Sequence, residues 1–268
     1  MSLPTPAPER TALVTGASSG IGADIARELA RRGHGLTLVA RRVERLEELA
    51  AELDGSGVRI EVLPVDLADA AARADLVDRV ESLGLEVDIL VNNAGLSTTG
   101  AVHDGDPVAE LRMVEVDVAA VADLTSRLLP AMVKRGRGAV LNVASTAAFQ
   151  PLPGQAGYGA CKAFVLSYTR SLSGELRDTG VSITALCPGP VRTEFADVAG
   201  FGDSVSSMPD FVWLESADVA RAGVEGLEKG HTVVIPGVAN RVTAALATLT
   251  PKQLLVPILA RFHPALRD

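Results

Sequence analysis

The stretch Ala12-Leu13-Val14-Thr15-Gly16-Ala17-Ser18-Ser19-Gly20-Ile21-Gly22 decides how the rest of the chain is read. A short apolar run enters a loop with three glycines, and an amphipathic stretch from Ile21 to Arg32 follows at once. A turn whose backbone must approach an anion needs residues without a Cβ. A helix opening just after it aims its unpaired N–H groups at the same point. The spacing is G-x-x-x-G-x-G, which departs from the G-x-G-x-x-G of dinucleotide-binding turns. Taken alone it fits a tight strand-to-helix turn equally well; its place in a strand–helix–strand unit favours phosphate binding.

Outward from this loop the alternation repeats. Apolar runs at Leu36–Ala40, Val58–Leu63, Ile89–Val91, Ala139–Val143, Val181–Leu186 and Thr232–Ile235 are separated by helical patterns. Those patterns cover Val43–Leu53, Ala68–Leu83, Pro107–Lys134, Ala156–Arg177 and Ala217–Glu228. The runs are short, β-branched and without polar alternation, as strands covered on both faces are. Alternating strands and helices imply parallel pairing through right-handed crossovers. The expected fold is α/β: a Rossmann-type doubly wound parallel sheet of about seven strands with helices on both faces. One domain is expected over 10–238, after a disordered lead at 1–9 and before a helical extension at 239–268. The irregular region 190–215 has the length of a lid, and its Phe195, Phe201, Phe211 and Trp213 either cover a site or anchor the loop.

Composition narrows the partners. The 268 residues are 47% hydrophobic and 22% charged, as in a folded chain with a large core. Lys and Arg number 25 against 33 Asp and Glu, a net charge of −8 that argues against a nucleic-acid groove or a polybasic membrane face. The opening MSLPTPAPER has no apolar run of the signal-peptide kind, and no segment reaches the ~18–20 uninterrupted apolar residues of a membrane span. A cytoplasmic location is expected. Cys161 and Cys187 read as small packed residues, and the scattered His34, His103, His231 and His263 give a metal site no support. From Asn240 to Phe262, Leu, Val and Ala punctuated by Lys252 and Arg261 predict two short amphipathic helices. On the acidic net charge, packing on a neighbouring subunit is favoured there over a membrane-surface anchor.

The second apolar run ends Leu38-Val39-Ala40-Arg41-Arg42. A carboxylate at this place grips a ribose 2′-hydroxyl, whereas arginines accept a 2′-phosphate through charge-assisted bonds. With Ala40 at the tip and no carboxylate before Glu44, Arg41 and Arg42 favour NADP(H) over NAD(H). Pairing of these arginines with Glu44 and Glu48 on a solvated helix is the alternative.

The ordered set TGASSGIG at 15–22, Asp66-Leu67, NNAG at 92–95, Ser145, YGACK at 158–162 and PGPVRT at 188–193 resembles the short-chain dehydrogenase/reductase family, in its short single-domain branch. The resemblance spans about Arg10 to Pro236. It implies cofactor contacts by Gly16, Ser18, Ser19, Gly20, Ile21 and Gly22, by Asp66 and Leu67 beside the adenine, and by Asn93, Ala94 and Gly95 along the dinucleotide. It also implies that Pro188 and Gly189 form a turn and that Val191 and Thr193 hold the carboxamide. Tyr158 would exchange a proton with the substrate oxygen, Ser145 would hydrogen-bond that oxygen, and Lys162 would bind the nicotinamide ribose.

Tyr158 and Lys162 are spaced i, i+4, so one helix face carries both. A free phenol titrates at about 10, and a neighbouring ammonium together with the positive charge of an oxidised nicotinamide is expected to pull it down. One position departs from the family pattern. Aligning Arg112-Met113-Val114-Glu115-Val116-Asp117-Val118 puts Asp117 where an asparagine that helps hold a proton-relay water belongs. The substitution removes an amide donor and adds a possible anion near Lys162; Asp117 either binds the same water, slows the relay, or marks a weak enzyme. Leu96, Ser97, Thr98, Phe149, Pro151 and Leu152 are the candidate substrate wall, mainly apolar and without an arginine pair. The sequence therefore predicts an NADP(H)-dependent oxidoreductase acting on an apolar ketone, aldehyde or 3-oxoacyl compound, or the matching secondary alcohol. The resemblance implies a homodimer or homotetramer. The alternative is a low-turnover NADP(H)-binding sensor or partner-binding subunit.

Overall fold

The computed structural model describes residues 3–195, 212–262 and 266. Strands β1 (Arg10–Thr15), β2 (Gly35–Ala40), β3 (Ile60–Pro64), β4 (Glu86–Asn92), β5 (Gly138–Val143) and β6 (Val181–Leu186) are joined through helices. These are α1 (Gly20–Arg31), α2 (Val43–Leu53), α3 (Ala70–Ser82), α4 (Pro107–Val114), α5 (Ala120–Lys134) and α6 (Ala156–Glu175). A two-residue pair, β7 (Val191–Arg192) with β8 (Leu214–Glu215), precedes α7 (Ser216–Glu228), and β9 (Val233–Val234) ends the main sheet. Two further helices follow, α8 (Val238–Leu249) and α9 (Lys252–Phe262).

The main sheet has seven parallel strands in the order β3-β2-β1-β4-β5-β6-β9. Successive strand residues feed opposite cores. Ala12, Val14, Leu36, Leu38, Ile89 and Val91 pack with Ile25 and Leu29 of α1 and Val224 of α7. Leu13, Val39, Leu90 and Val140 pack with Leu76 of α3, Leu124 and Met132 of α5 and Leu172 of α6. Burial on both faces is why the strands read as unbroken apolar runs, and it makes the fold the doubly wound one. The strand order reverses between β1 and β4, so their carboxyl ends diverge into a crevice, the usual ligand position in such sheets.

Two segments depart from the sequence reading, and one part of it falls outside the described residues. Residues 3–9 do not stand free: Leu3 packs against the core, Pro4 is buried, and Arg10 Nη1 donates to Thr5 O at 2.9 Å. The helix expected over Pro107–Lys134 is interrupted by a π-turn at Glu115–Ala119, which joins α4 to α5. Of the expected lid, 196–211, with Phe201 and Phe211, lies outside the described residues. No described helix is long and apolar enough to cross a membrane.

The crevice is built by hydrogen bonds between the ends of β1 and β4. Thr15 Oγ1 donates to Val91 O (3.0 Å) and accepts from the amides of Asn93 (2.9 Å) and Ala94 (3.1 Å). Asn93 Nδ2 donates to Thr15 O at 2.9 Å and Gly16 O at 3.2 Å. Gly16 turns with φ +66°, and a Cβ there would lie 2.7 Å from Asn93 Nδ2 and 2.8 Å from Ala94 Cα. At Gly22 a Cβ would overlap the Gly16 carbonyl and Asn93 Nδ2, both fixed by this network. Overpacking of this kind costs about 1–3 kcal/mol. Gly22→Ala is therefore expected to lower the melting temperature by roughly 3–10 °C in a scanning melt; an unchanged melting point would show that the loop is free to move.

Candidate active site

At the carboxyl end of the sheet, β1, β2, β4, β5 and β6 open into a cavity of about 660 Å³. The loop Gly16–Ile21, the β2 tip with Arg41 and Arg42, and Asp66 and Leu67 form one part of its wall. Asn93, Ala94 and Gly95 lie along it, and Ser145, Tyr158, Lys162, Pro188, Gly189, Val191 and Thr193 complete the rest. The structure thus gathers residues from positions 16 to 193 into one cleft. Two expected site residues do not line it. Gly22 packs behind the loop, where only hydrogen fits, and Asp117 is fully buried behind Gly95 and Lys162.

The loop leaves the α1 N-terminus without a side-chain cap: Ser19 is extended (φ −170°) and caps nothing. First-turn N–H groups left this way favour an anion. Arg42 lies over the loop, with Nη2 2.7 Å from Ser19 Oγ and 3.1 Å from Ser18 Oγ. Its Nη1 meets Glu194 Oε2 at 3.1 Å, and Arg45 meets the same carboxylate at 3.5 Å. No sequence signal points to Glu194, because it reaches Arg42 across 152 positions. Asp66 is capped by the Ala68 amide and paired with Arg112 Nη2 at 2.6 Å. Burial acts to raise this carboxyl, but Arg112, the Ala68 amide and Arg41 together hold it below its ordinary value. Cationic side chains thus collect at the end of the cleft where the helix N-terminus points. A phosphorylated nucleotide fits that end in charge and in backbone access.

The opposite end carries the hydroxyls. Ser145 begins the single turn Thr146–Phe149 after β5; its Oγ accepts from Ala147 N at 3.1 Å. Tyr158 and Lys162 lie one turn apart near the start of α6, with Lys162 Nζ 5.6 Å from the Tyr158 ring centre. Phe195 closes on Tyr158 with ring centres 5.9 Å apart. Leu96, Leu152, Phe195 and Trp213 line this end, whereas Ser97, Thr98, Phe149 and Pro151 do not, contrary to expectation. Ser97 Oγ accepts from Gln155 Nε2 at 2.9 Å, with Gln155 itself on the cavity wall, and Thr98 Oγ1 donates to Glu110 Oε2 at 2.6 Å.

Lys162 is held from behind. Its Nζ lies 2.9 Å from Asp117 Oδ2 and 3.3 Å from Val143 O, with side-chain exposures of 6% for Lys162 and 0% for Asp117. Asp117 Oδ1 accepts from Leu96 N at 2.7 Å, which ties the segment after NNAG to the same carboxylate. A Cβ on Gly95 would stand 3.2 Å from both Lys162 Nζ and Asp117 Oδ2. The π-turn adds a residue to the helix and carries Asp117 inward to this point.

These contacts alter the expected proton chemistry. Burial pushes the Asp117 carboxyl up, and the Lys162 ammonium and Leu96 amide offset only part of that. Burial acts to lower Lys162, yet Asp117 and Tyr158 outweigh it and the ammonium is held above its ordinary value. The lowering expected for Tyr158 counted the charge of an oxidised nicotinamide as well as Lys162; with the chain's own groups alone, Tyr158 stands above its ordinary value. Desolvation is the main cause, Lys162 and Ser145 oppose it, and Asp117 cancels part of the lysine's pull. Cys161 and Cys187 are pushed up to about 11 and about 12 by burial, so both are inert thiols.

Residues 10–200 match the family model for short chain dehydrogenases. Sulfoacetaldehyde reductase 2 of Chromohalobacter salexigens is 38% identical over 213 residues, 78% of this chain and 84% of its own. A short-chain dehydrogenase from Sphingobium yanoikuyae, solved in complex with NADPH, superposes with a TM-score of 0.79 at 34% identity, covering 97% of this chain and 98% of its own. The bulky-bulky ketone specific alcohol dehydrogenase from Comamonas testosteroni gives 0.76 at 30% identity, with 98% of each chain covered. With this fold, this cleft and a family match over most of its length, the chain belongs to the short-chain dehydrogenase family of oxidoreductases.

Proposed function

We propose that the chain is an NADP(H)-dependent carbonyl reductase whose substrate is an uncharged, largely apolar ketone, aldehyde or 3-oxoacyl compound. The observation that carries the reading is the pairing of two unlike ends in one cleft: arginines over an uncapped helix N-terminus, and the Ser145 and Tyr158 hydroxyls among Leu96, Leu152, Phe195 and Trp213. Bound dihydronicotinamide supplies the hydride; the rest is the work of the chain's own groups. Ser145 Oγ donates to the substrate oxygen and orients the carbonyl. Tyr158 Oη gives its proton to that oxygen as negative charge develops there. Lys162, charged and fixed, stabilises the phenolate left behind and would hold the nicotinamide ribose. Asp117 touches neither substrate nor cofactor in this scheme and positions Lys162. Acid–base placement of this kind contributes ~10²–10⁴-fold.

The choice of NADP(H) rests on Arg41 and Arg42 at the β2 tip. Glu194 neutralises part of Arg42, but Arg45 shares that carboxylate, and Asp66 is already paired with Arg112. The substrate reading rests on charge. Among the described residues lining the cavity, the arginines stay near Ser18 or Asp66 and the cation at the hydroxyl end is the ion-paired Lys162.

Three outcomes test the reading. Tyr158→Phe is expected to lower kcat for carbonyl reduction ~10²–10⁴-fold with NADPH binding retained, followed by energy transfer from Trp213, the sole tryptophan; reduction at the wild-type rate would remove the phenol from the mechanism. In Arg41→Ala/Arg42→Ala, the ratio of kcat/KM for NADPH over NADH should fall by at least about 10–100-fold, the loss of one charge-assisted bond at roughly 1.5–3 kcal/mol. A ratio favouring NADH in the unaltered protein would overturn the cofactor reading. Asp117→Asn removes a charge that raises Tyr158, so the basic limb of the kcat profile should move to lower pH while the maximal kcat changes less than about tenfold. An unmoved limb would show that Asp117 does not act on the phenol.

A further inference from the structure

The last described helices carry a surface that the reductase chemistry does not use. On α8, Val238, Val242, Leu246 and Leu249 project outward on one stripe, with Leu246 60% and Leu249 80% exposed. The opposite face, Asn240, Ala244 and Ala247, is buried. On α9, Leu254, Ile258 and Arg261 fall at i, i+4 and i+7, all three exposed. Exposed apolar residues scattered singly need no partner, but an aligned set on two consecutive helices does.

The charge of the segment says what the partner is. From Lys229 to Arg267 there are five Lys and Arg and no Asp or Glu, whereas the remaining residues carry 20 cations against 33 carboxylates. Arg241 borders the α8 stripe and Arg261 lies within that of α9. Among the described residues neither has an ion-pair partner, unlike Lys252, which donates to the carbonyls of Ala247 (2.6 Å) and Phe149 (3.3 Å). A twofold contact between copies would set these arginines against each other with no carboxylate in the segment to meet them. A surface of anionic lipid headgroups pairs the arginines and takes the apolar side chains into its interface. Net charge argues the other way, because the acidic residues, Asp268 at the end of the extension apart, all precede Lys229.

We infer that α8 and α9 dock the protein peripherally on an anionic lipid surface, with Val242, Leu246, Leu249, Leu254 and Ile258 inserted and Arg241 and Arg261 at headgroup level. The contact borders the substrate end of the cleft: Asn240 of α8 packs on Gly189, and Lys252 ties α9 to Phe149. An apolar carbonyl compound dissolved in lipid would thus be presented beside the hydroxyl-bearing wall. The docking itself does not depend on the identity of that substrate.

The test is co-sedimentation of the full chain with phosphatidylcholine vesicles, with and without phosphatidylglycerol. Binding is expected only with phosphatidylglycerol and should be lost at high salt. Arg241→Gln/Arg261→Gln should weaken partitioning about 30-fold, roughly fivefold for each arginine, and Leu246→Gln/Leu249→Gln should weaken it as well. All four positions are exposed and outside the cleft, so carbonyl reduction of a soluble substrate should be unchanged and serves as the control for folding. Equal binding to both vesicle types, or none to either, overturns the proposal. So does a dimer, seen by size exclusion, that Leu246→Gln/Leu249→Gln dissociates while vesicles bind nothing, since the stripe would then belong to a second copy.

Discussion

The site is organised around one buried ion pair, Lys162 with Asp117. An ammonium taken out of water is tolerated only with a counter-charge and further hydrogen bonds, and breaking one side of such a pair is far more costly than never building it. Here the carboxylate also accepts from the Leu96 amide, so a single side chain fixes the lysine and the strand exit that borders the cavity. The rest of the local structure makes room for it. The π-turn brings Asp117 inward, and Gly95 leaves the space a Cβ would fill. Tyr158 is then set by what the pair leaves over. A lone lysine would draw the phenol down; a lysine already matched by a carboxylate draws less, and burial prevails. A phenol that keeps its proton suits donation to a carbonyl, the direction of reduction.

Charge is partitioned in the same local manner across the molecule. The cleft has a cationic end, where Arg42 spans Ser18 and Ser19, and an end lined by hydroxyls and apolar side chains. The network of Thr15 and Asn93 keeps these ends at a fixed separation by joining β1 to β4. A net charge of −8 describes neither end of the cleft nor the carboxylate-free C-terminal helices. Partners are chosen by fields that fall off within about 10 Å, so the arrangement of charges outweighs their sum.

Much of the fold was legible because strands buried on both faces leave unbroken apolar runs, as at Leu36–Ala40 and Val181–Leu186. The glycine loop was legible because only Gly16 and Gly20 can take their positive φ in that turn. What stayed hidden depends on contacts distant in sequence. Glu194 reaches Arg42 from another segment, Gly22 serves packing and does not face the cleft, and Ser97 and Thr98 are taken up by hydrogen bonds with Gln155 and Glu110. The π-turn left no periodicity signal, because one extra residue does not break an apolar pattern. Asp117 is legible in the sequence as a departure that puts a possible anion near Lys162, but its direct contact with the ammonium, its tie to the Leu96 amide and the rise of Tyr158 depend on three-dimensional packing.

That rise can be measured directly, since the chain has only two tyrosines. In Tyr168→Phe the remaining phenol is Tyr158, and its ionisation can be followed by ultraviolet difference absorbance in the cofactor-free protein. The account predicts a midpoint above the ordinary value of about 10, moving down when Asp117→Asn is added. A midpoint at or below 10 in the protein that retains Asp117 would contradict it.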